Sequence, residues 1–387
     1  MKQIWIWMQI ILLSLLFALL SSCGFMEETV FLSDTSYTSG PGAPPWWNES
    51  WTSRQKLTFD NAAQTQNLSD FPVLVMLNSS RIRYNYTQDS GQDIRFVDQD
   101  GALLSHEIEL WDESGESWIW VKVPQIDGGS SEDSIWIYYG NQSASDGQDA
   151  PNVWDPDYLG VWHLNEQSAG THADSTSNGT NGSRDNNTFN PSGKTAGAQL
   201  FDGNNDYINF GDVDELDIAE YFTVSLWFNR NSDLTSSTNH GTNNVFIAQS
   251  SGATNDNLEI GTDGSLVEIY LDTTVADTSV TYDAGLQNST WYWFSITYDK
   301  DIANELKLYL DGNKINEWNT FGGNLDTSST SPLSSGLARP LTSLWGDYNG
   351  IIDELRISLV ARSSEWIHAQ YLSMNDSFIS FGAEQTR

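Results

Sequence analysis

The sequence predicts an all-β protein: two β-sandwich domains in tandem behind an N-terminal export segment. Three observations carry the prediction. Aromatic residues make up 12% of the 387 residues, charged residues only 18%, and Gly occurs 30 times, a balance that favours strands and tight turns over helices or disorder. Short stretches rich in β-branched and aromatic residues recur between clusters of Gly, Asn, Asp and Ser. Helical periodicity is missing until close to the C-terminus.

Charge narrows the function classes. A formal net charge of -35 and a pI near 4.1 speak against nucleic acid or an anionic membrane surface as partner. The same acidity suits a protein kept soluble in salt water, or one that binds divalent cations. For most of the 52 acidic residues a solvated surface is the simplest account.

Met1 and Lys2 open a short n-region, followed by an apolar run from about Ile4 to Leu20. That run is near the lower limit for crossing a bilayer, about 17 residues. The small Ser21 and Ser22 after it place a cleavage site there, so residues 1–22 read as a signal peptide. Leu20-Ser21-Ser22-Cys23 resembles the bacterial lipobox. The resemblance implies that Cys23 is lipidated and becomes the new N-terminus, held stably by two or more acyl chains. Gly24 rather than Asp follows it, which points to the outer membrane or the cell surface. Cys23 is the sole cysteine, so no internal disulfide can form. Residues 23–45, ending in a Ser, Thr, Gly and Pro-rich run, read as a flexible tether.

Residues 46–141 read as the first sandwich. Strands are expected at Gln55–Phe59, Val73–Leu77, Asp93–Val97, Ser117–Val123 and Ser134–Asn141. Along the fourth, alternation sets Trp118, Trp120 and Lys122 on one face and Ile119, Val121 and Val123 on the other. Trp51, Arg54, Phe71–Val75, Asp93–Phe96, Trp120–Pro124 and Ile137–Asn141 together resemble a bacterial surface domain family known as domain of unknown function 2341. The resemblance implies architecture and no activity.

After a linker over 142–152, residues 153–387 read as a second sandwich. It is organised around Phe201-Asp202-Gly203-Asn204-Asn205-Asp206-Tyr207, whose small polar residues supply the positive φ of a tight turn. That phrase resembles the FDG-x-x-D-Y motif of laminin-G-like, concanavalin A-like jelly rolls. Gly160–Glu166, Asp174–Gly182, Phe222–Phe228, Thr290–Asp299, Lys307–Asn313 and Gly350–Ile357 resemble further motifs of the family, in its order. The tail Ser363–Tyr371 reads as a short helix with a capping serine, followed by a strand at Phe378–Gly382 whose partner is left open.

Alternation along Gly350–Ile357 groups Asp353 with Ile351, Leu355 and Ile357. A carboxylate in such company needs a cation or hydrogen-bond donors. Calcium is one answer, with Asp174 and Asn178 or Asn181 completing an oxygen shell beside Asp353; the resemblance also implies a structural calcium. The alternative is that backbone N–H groups or an arginine satisfy Asp353 while Asp174 shapes a turn. Zinc lacks a motif: the histidines are scattered and His163 reads as a packed core residue.

Catalysis lacks a motif as well. The Glu-x-Asp-x-Glu strand of related β-glucanases is missing, and the lone carboxylates Glu259 and Glu268 read as solvated strand faces. Glycan binding needs aromatic platforms with polar neighbours, for which Trp345, Asp347 and Tyr348 are the first candidates and the loop around His240 the second. The sequence therefore points to a lipid-anchored surface protein that binds glycan or polysaccharide without catalysis. Adhesion or scaffolding through a protein partner is the alternative, and a polysaccharide hydrolase or lyase the remaining one.

Overall fold

The computed structural model describes residues 45–168, 170–232, 244–250, 256–326, 331–338 and 346–387. Its first seven strands are β1 (Ser53–Phe59), β2 (Leu68–Leu77), β3 (Arg95–Val97), β4 (Leu103–Leu104), β5 (His106–Leu110), β6 (Ser117–Ile126) and β7 (Ser134–Tyr139). They form two facing sheets, β1-β7-β3-β4 and β2-β6-β5. As alternation predicts, Ile119, Val121 and Val123 enter the core between these sheets, and Trp120 faces the other way. Strand β5 was legible but not expected: His106-Glu107-Ile108-Glu109-Leu110 alternates with period two.

The jelly roll follows. It starts with β8 (Tyr158–Trp162), β9 (Thr171–His172), β10 (Gly182–Asp185), β11 (Thr188–Asn190), β12 (Ala198–Asp202) and β13 (Tyr207–Asp212). Next come β14 (Tyr221–Arg230), β15 (Asn244–Ser250), β16 (Asp256–Asp263), β17 (Leu266–Asp272) and β18 (Asp277–Asp283). It closes with β19 (Trp291–Asp299), β20 (Leu306–Leu310), β21 (Asn313–Trp318), β22 (Pro332–Ser335) and β23 (Asn349–Ser358). The front sheet runs β18-β17-β16-β15-β22-β13-β10-β9 and the back sheet β11-β12-β23-β14-β19-β20-β21, with β8 on β23. Phe201, Phe222, Val224, Leu226, Phe246 and Ile260 are among the side chains filling the space between them. The organising turn takes positive φ where expected, 81° at Gly203 and 61° at Asn205. Asp206 Oδ2 ties it shut by accepting from the Asp202 amide at 2.8 Å.

The C-terminal segment returns to the first sandwich. Ser363 caps the helix Ser364–Met374 by accepting from the Trp366 amide. The helix places Trp366, Ile367 and Ala369 in the first core, with Trp366 edge-on to Phe71 at 4.8 Å. Beyond it, β24 (Ile379–Phe381) and β25 (Gln385–Thr386) pair antiparallel with β1. The ion pairs Arg81–Asp376 at 2.6 Å and Arg83–Glu384 at 2.8 Å pin this return. Pro45–Arg387 accordingly forms one compact unit.

One expectation fails in detail. Strand β23 carries a β-bulge opposite β14, where Ser225 pairs with Arg356 and Trp227 with Asp353, so Glu354 and Leu355 share one partner. Glu354 adopts φ 53° to do so. The phase slips by one residue: Ile352, Leu355 and Ile357 enter the core, and Asp353 does not share their apolar face. A bulge shifts a period-two pattern without leaving a mark in composition.

Candidate functional site

The back sheet turns its outer face toward the first sandwich. Trp227, Trp293, Tyr158 and Val161 meet Leu74 and Trp120 there, with Trp154 and Met374 in the same buried layer. Arg356 lies inside it, its guanidinium carbon 4.3 Å from the Trp120 ring centroid and 5.1 Å from that of Trp154. A desolvated stack of this kind contributes about 2 kcal/mol, and ion pairing fixes the charge. Arg356 Nη2 donates to Glu354 Oε2, and Glu354 Oε1 lies 2.7 Å from His163 Nδ1.

Strand β5 brings two more acids. Glu109 Oε2 is 3.6 Å from His163 Nδ1, and Glu107 Oε2 is 3.4 Å from His163 Nε2. His163 is buried, as expected of a core residue, and stacks near Trp120, but carboxylates surround its polar edge. Burial opposes its charge, yet Glu354, Glu107 and Glu109 hold the imidazole well above its usual range. For Glu354, burial pulls upward while His163 and Arg356 prevail and bring it down to about 2. Burial and then the Glu354 charge push Glu109 up to about 8. The bulge at Glu354 turns its carboxylate into this cluster; a non-glycine residue at positive φ stores roughly 1–3 kcal/mol of strain and marks sites held by their surroundings.

Asp353 borders the same cluster. Its Oδ2 accepts from the Lys194 and Thr195 amides at 2.6 and 3.1 Å. Burial and the charges of Glu354 and Glu109 raise it well above the usual carboxylate range. The loop expected to share a cation with it is bonded elsewhere. Asp174 Oδ1 accepts from the Val161 and Thr176 amides, and Oδ2 from the Thr176 hydroxyl and the Thr180 amide. Asn181 Oδ1 accepts from the Asp174 amide at 2.9 Å. Asn178 Nδ2 donates to the carbonyls of Tyr158 and Leu159. Asp174, Asn178 and Asn181 thus form one hydrogen-bonded loop, and no hydrogen bond among the described residues joins it to Asp353.

The aromatic candidates divide. Trp345, His240 and the lipidation candidate Cys23 lie outside the described residues. Tyr348 is no exposed platform: it is fully buried against Phe201 and Phe246, its hydroxyl donating to the Ile351 carbonyl at 3.2 Å. Its turn-like context concealed an inward-facing ring. Asp347 Oδ1 accepts from the Asn205 amide at 2.8 Å, bracing the organising turn.

The front sheet's outer face is polar but covered across its centre, where Ala248, Ser334 and Tyr270 are buried, while Ser183 and Thr281 toward its edges are exposed. Register places Ser183, Asn209, Ser334, Ala248, Glu259, Tyr270 and Ser279 in one row across it. Gly261, Glu268 and Thr281 form the next row. Leu258, Ile260, Val267 and Ile269 alternate with these side chains and point into the core. Glu259 and Glu268 are not the solvated carboxylates expected, being 2% and 6% exposed. Glu259 accepts from the Ser250 hydroxyl at 2.8 Å. Single carboxylates flanked by apolar residues look the same in sequence whether or not their strand is covered.

Sheet order and the polar front face define a class: an all-β sandwich protein whose larger part is a concanavalin A-like jelly roll. Residues 202–368 match the concanavalin A-like lectin/glucanases superfamily, and residues 90–181 match the domain of unknown function 2341 family. The chain combines the two. The second match starts after β2 and runs past the first sandwich into the Asp174 loop, so it includes Glu107, Glu109 and His163. No curated protein matches. Among solved structures, the binding domain of Paraclostridial Mosquitocidal Protein 1 is similar over 56% of this chain and 52% of its own, at 15% identity and a TM-score of 0.42. The botulinum neurotoxin serotype D binding domain matches over 56% and 51%, at 19% identity and a TM-score of 0.41. Domain 4 of AbnA, an extracellular arabinanase from Geobacillus stearothermophilus solved with arabinotriose, matches over 56% of this chain and 98% of its own, at 20% identity and a TM-score of 0.41. The chain spans about half the length of the two toxin binding domains it matches.

Proposed function

We propose that the chain is an exported, lipid-anchored bacterial surface protein that binds glycan or polysaccharide on the front sheet of its jelly roll, without catalysis. The observation that carries this reading is the division of labour between the two sheets. The back sheet places its outer face in the Trp-rich contact with the first sandwich, whereas the front sheet keeps polar residues open to solvent toward its edges. Toward those edges Ser183 and Asn209, and Ser279 and Thr281, offer donors and acceptors for sugar hydroxyls, while Glu259, Glu268 and Tyr270 between them are buried. The concanavalin A-like match supports the same assignment. Cys23 supplies the anchor and residues 23–45 the reach from the outer membrane or cell surface.

A glycan array probed with the full chain tests the reading. Binding to a defined polysaccharide class that Thr281→Arg abolishes is the expected result. Thr281 is exposed on the front face, so the added bulk and charge obstruct the face without entering the core. Turnover of the bound polysaccharide would replace binding by catalysis, and binding indifferent to the front face would favour adhesion through another surface.

A further inference from the structure

We infer that Glu109, His163 and Glu354, with Asp353 beside them, form a binding site for one divalent transition-metal cation of the zinc type, buried where the two sandwiches meet. One ligand atom each from Glu109, His163 and Glu354 lies within 4.8 Å of the others. His163 Nδ1 faces Glu354 Oε1 at 2.7 Å and Glu109 Oε2 at 3.6 Å. Metal–ligand bonds of 2.0–2.2 Å set tetrahedral ligand atoms about 3.3 Å apart, so both separations from His163 Nδ1 already lie within about 0.6 Å of what an ion requires.

The surroundings match what a metal-bound imidazole and carboxylates require. A ligating histidine gives its other ring nitrogen to a carboxylate, and His163 Nε2 faces Glu107 Oε2 at 3.4 Å. Glu107 is itself held by the Ser175 hydroxyl and the Trp154 indole. Arg356 occupies the second oxygen of Glu354, and the Thr195 hydroxyl the second oxygen of Glu109. The Trp120 indole donates to Glu109 Oε2 at 2.9 Å, orienting that oxygen.

Asp353 provides an independent pointer. It is 0% exposed, and its Oδ1 has no hydrogen-bond partner. It directly precedes Glu354 in the chain and borders the triad through Thr195, whose amide donates to Asp353 Oδ2 and whose hydroxyl donates to Glu109 Oε1. A buried carboxylate oxygen left without a donor is costly unless a cation completes it. One imidazole with carboxylates suits zinc or manganese better than calcium, which takes oxygen ligands alone.

The test uses the full chain, stripped with chelator and then refolded with or without zinc because the site is buried. The expected result is one zinc retained per chain by elemental analysis, with a thermal midpoint that rises with zinc concentration. Cobalt in its place should give the visible d–d absorption of a low-coordinate nitrogen–oxygen site. Glu109→Gln should abolish that spectrum, and Glu107→Gln should weaken affinity about 10- to 100-fold. No retained metal with an unmoved midpoint overturns the inference, and so does equal retention by Glu109→Gln. If the variants fail to fold, the wild-type cobalt spectrum decides: its absence overturns the site.

Discussion

Replacing Trp366 by Ala removes a side chain that belongs to the jelly-roll segment of the chain and packs inside the other sandwich. Trp366 is 6% exposed, edge-on to Phe71 at 4.8 Å, with the Arg362 guanidinium carbon 4.4 Å from its ring centroid. Truncating a buried tryptophan costs about 3–5 kcal/mol. Its buried indole nitrogen has no hydrogen-bond partner, so no hydrogen bond is forfeited, and the lower end applies. The Arg362 stack adds about 0.5–1 kcal/mol. A loss of about 3.5–4 kcal/mol lowers the midpoint by roughly 7–16 °C at 2–4 °C per kcal/mol. Urea unfolding gives the total, and hydrogen exchange read by mass spectrometry locates it. The peptides covering β2 and β6 should lose protection together with the C-terminal helix. A loss confined to the jelly roll, with β2 and β6 unchanged, would refute the shared core.

Other perturbations read different parts of the account. Burial, followed by the Arg95 charge, lowers His106 to about 4 from an ordinary value of 6.5. Because the unfolded chain takes up this proton first, its contribution is fully present above about pH 6.5 and is lost as pH falls toward 4, by about 3 kcal/mol; His106→Leu should flatten that part of the stability–pH curve, and an unchanged slope would show that His106 is not responsible. Arg356→Met should cost about 3–5 kcal/mol by denaturant unfolding, since it leaves the buried Glu354 without its guanidinium; a neutral result would mean that His163 alone suffices. Asp174 already accepts four hydrogen bonds, so calcium should leave the thermal midpoint unmoved through this loop. A calcium-dependent rise abolished by Asp174→Ala would reinstate the cation role that the sequence suggested.

Much of the fold was legible because its signals are local. Alternation along β6 separated Ile119, Val121 and Val123 from Trp120, Gly203 and Asn205 announced their positive φ, and Ser363 announced the helix. What lay hidden is what alternation cannot say, namely what covers the second face. The tryptophans of β6, β14 and β19 looked like core residues and are core, but of the contact between two sandwiches. Glu107 and Glu109 stand two apart on β5 and Glu354 and Arg356 two apart on β23, a visible period-two pattern of charge. Their meeting at His163 depends on a long-range approach and on a bulge that shifts the phase at Asp353. Tyr348 shows the reverse error, since a Gly-Asp turn context suggested exposure for a ring that closes the core.

The claim that the front sheet is the glycan face is tested most directly by titrating the full chain with the polysaccharide that scores highest on an array, alongside Ser279→Arg and Thr281→Arg. Both positions lie on the front face at its β18 edge, where a large cation blocks approach and leaves the core intact. The account predicts saturable binding by the wild type, loss of binding in both variants, unchanged thermal midpoints and no product release. Undiminished binding in both variants would contradict it and move the ligand site away from the front sheet.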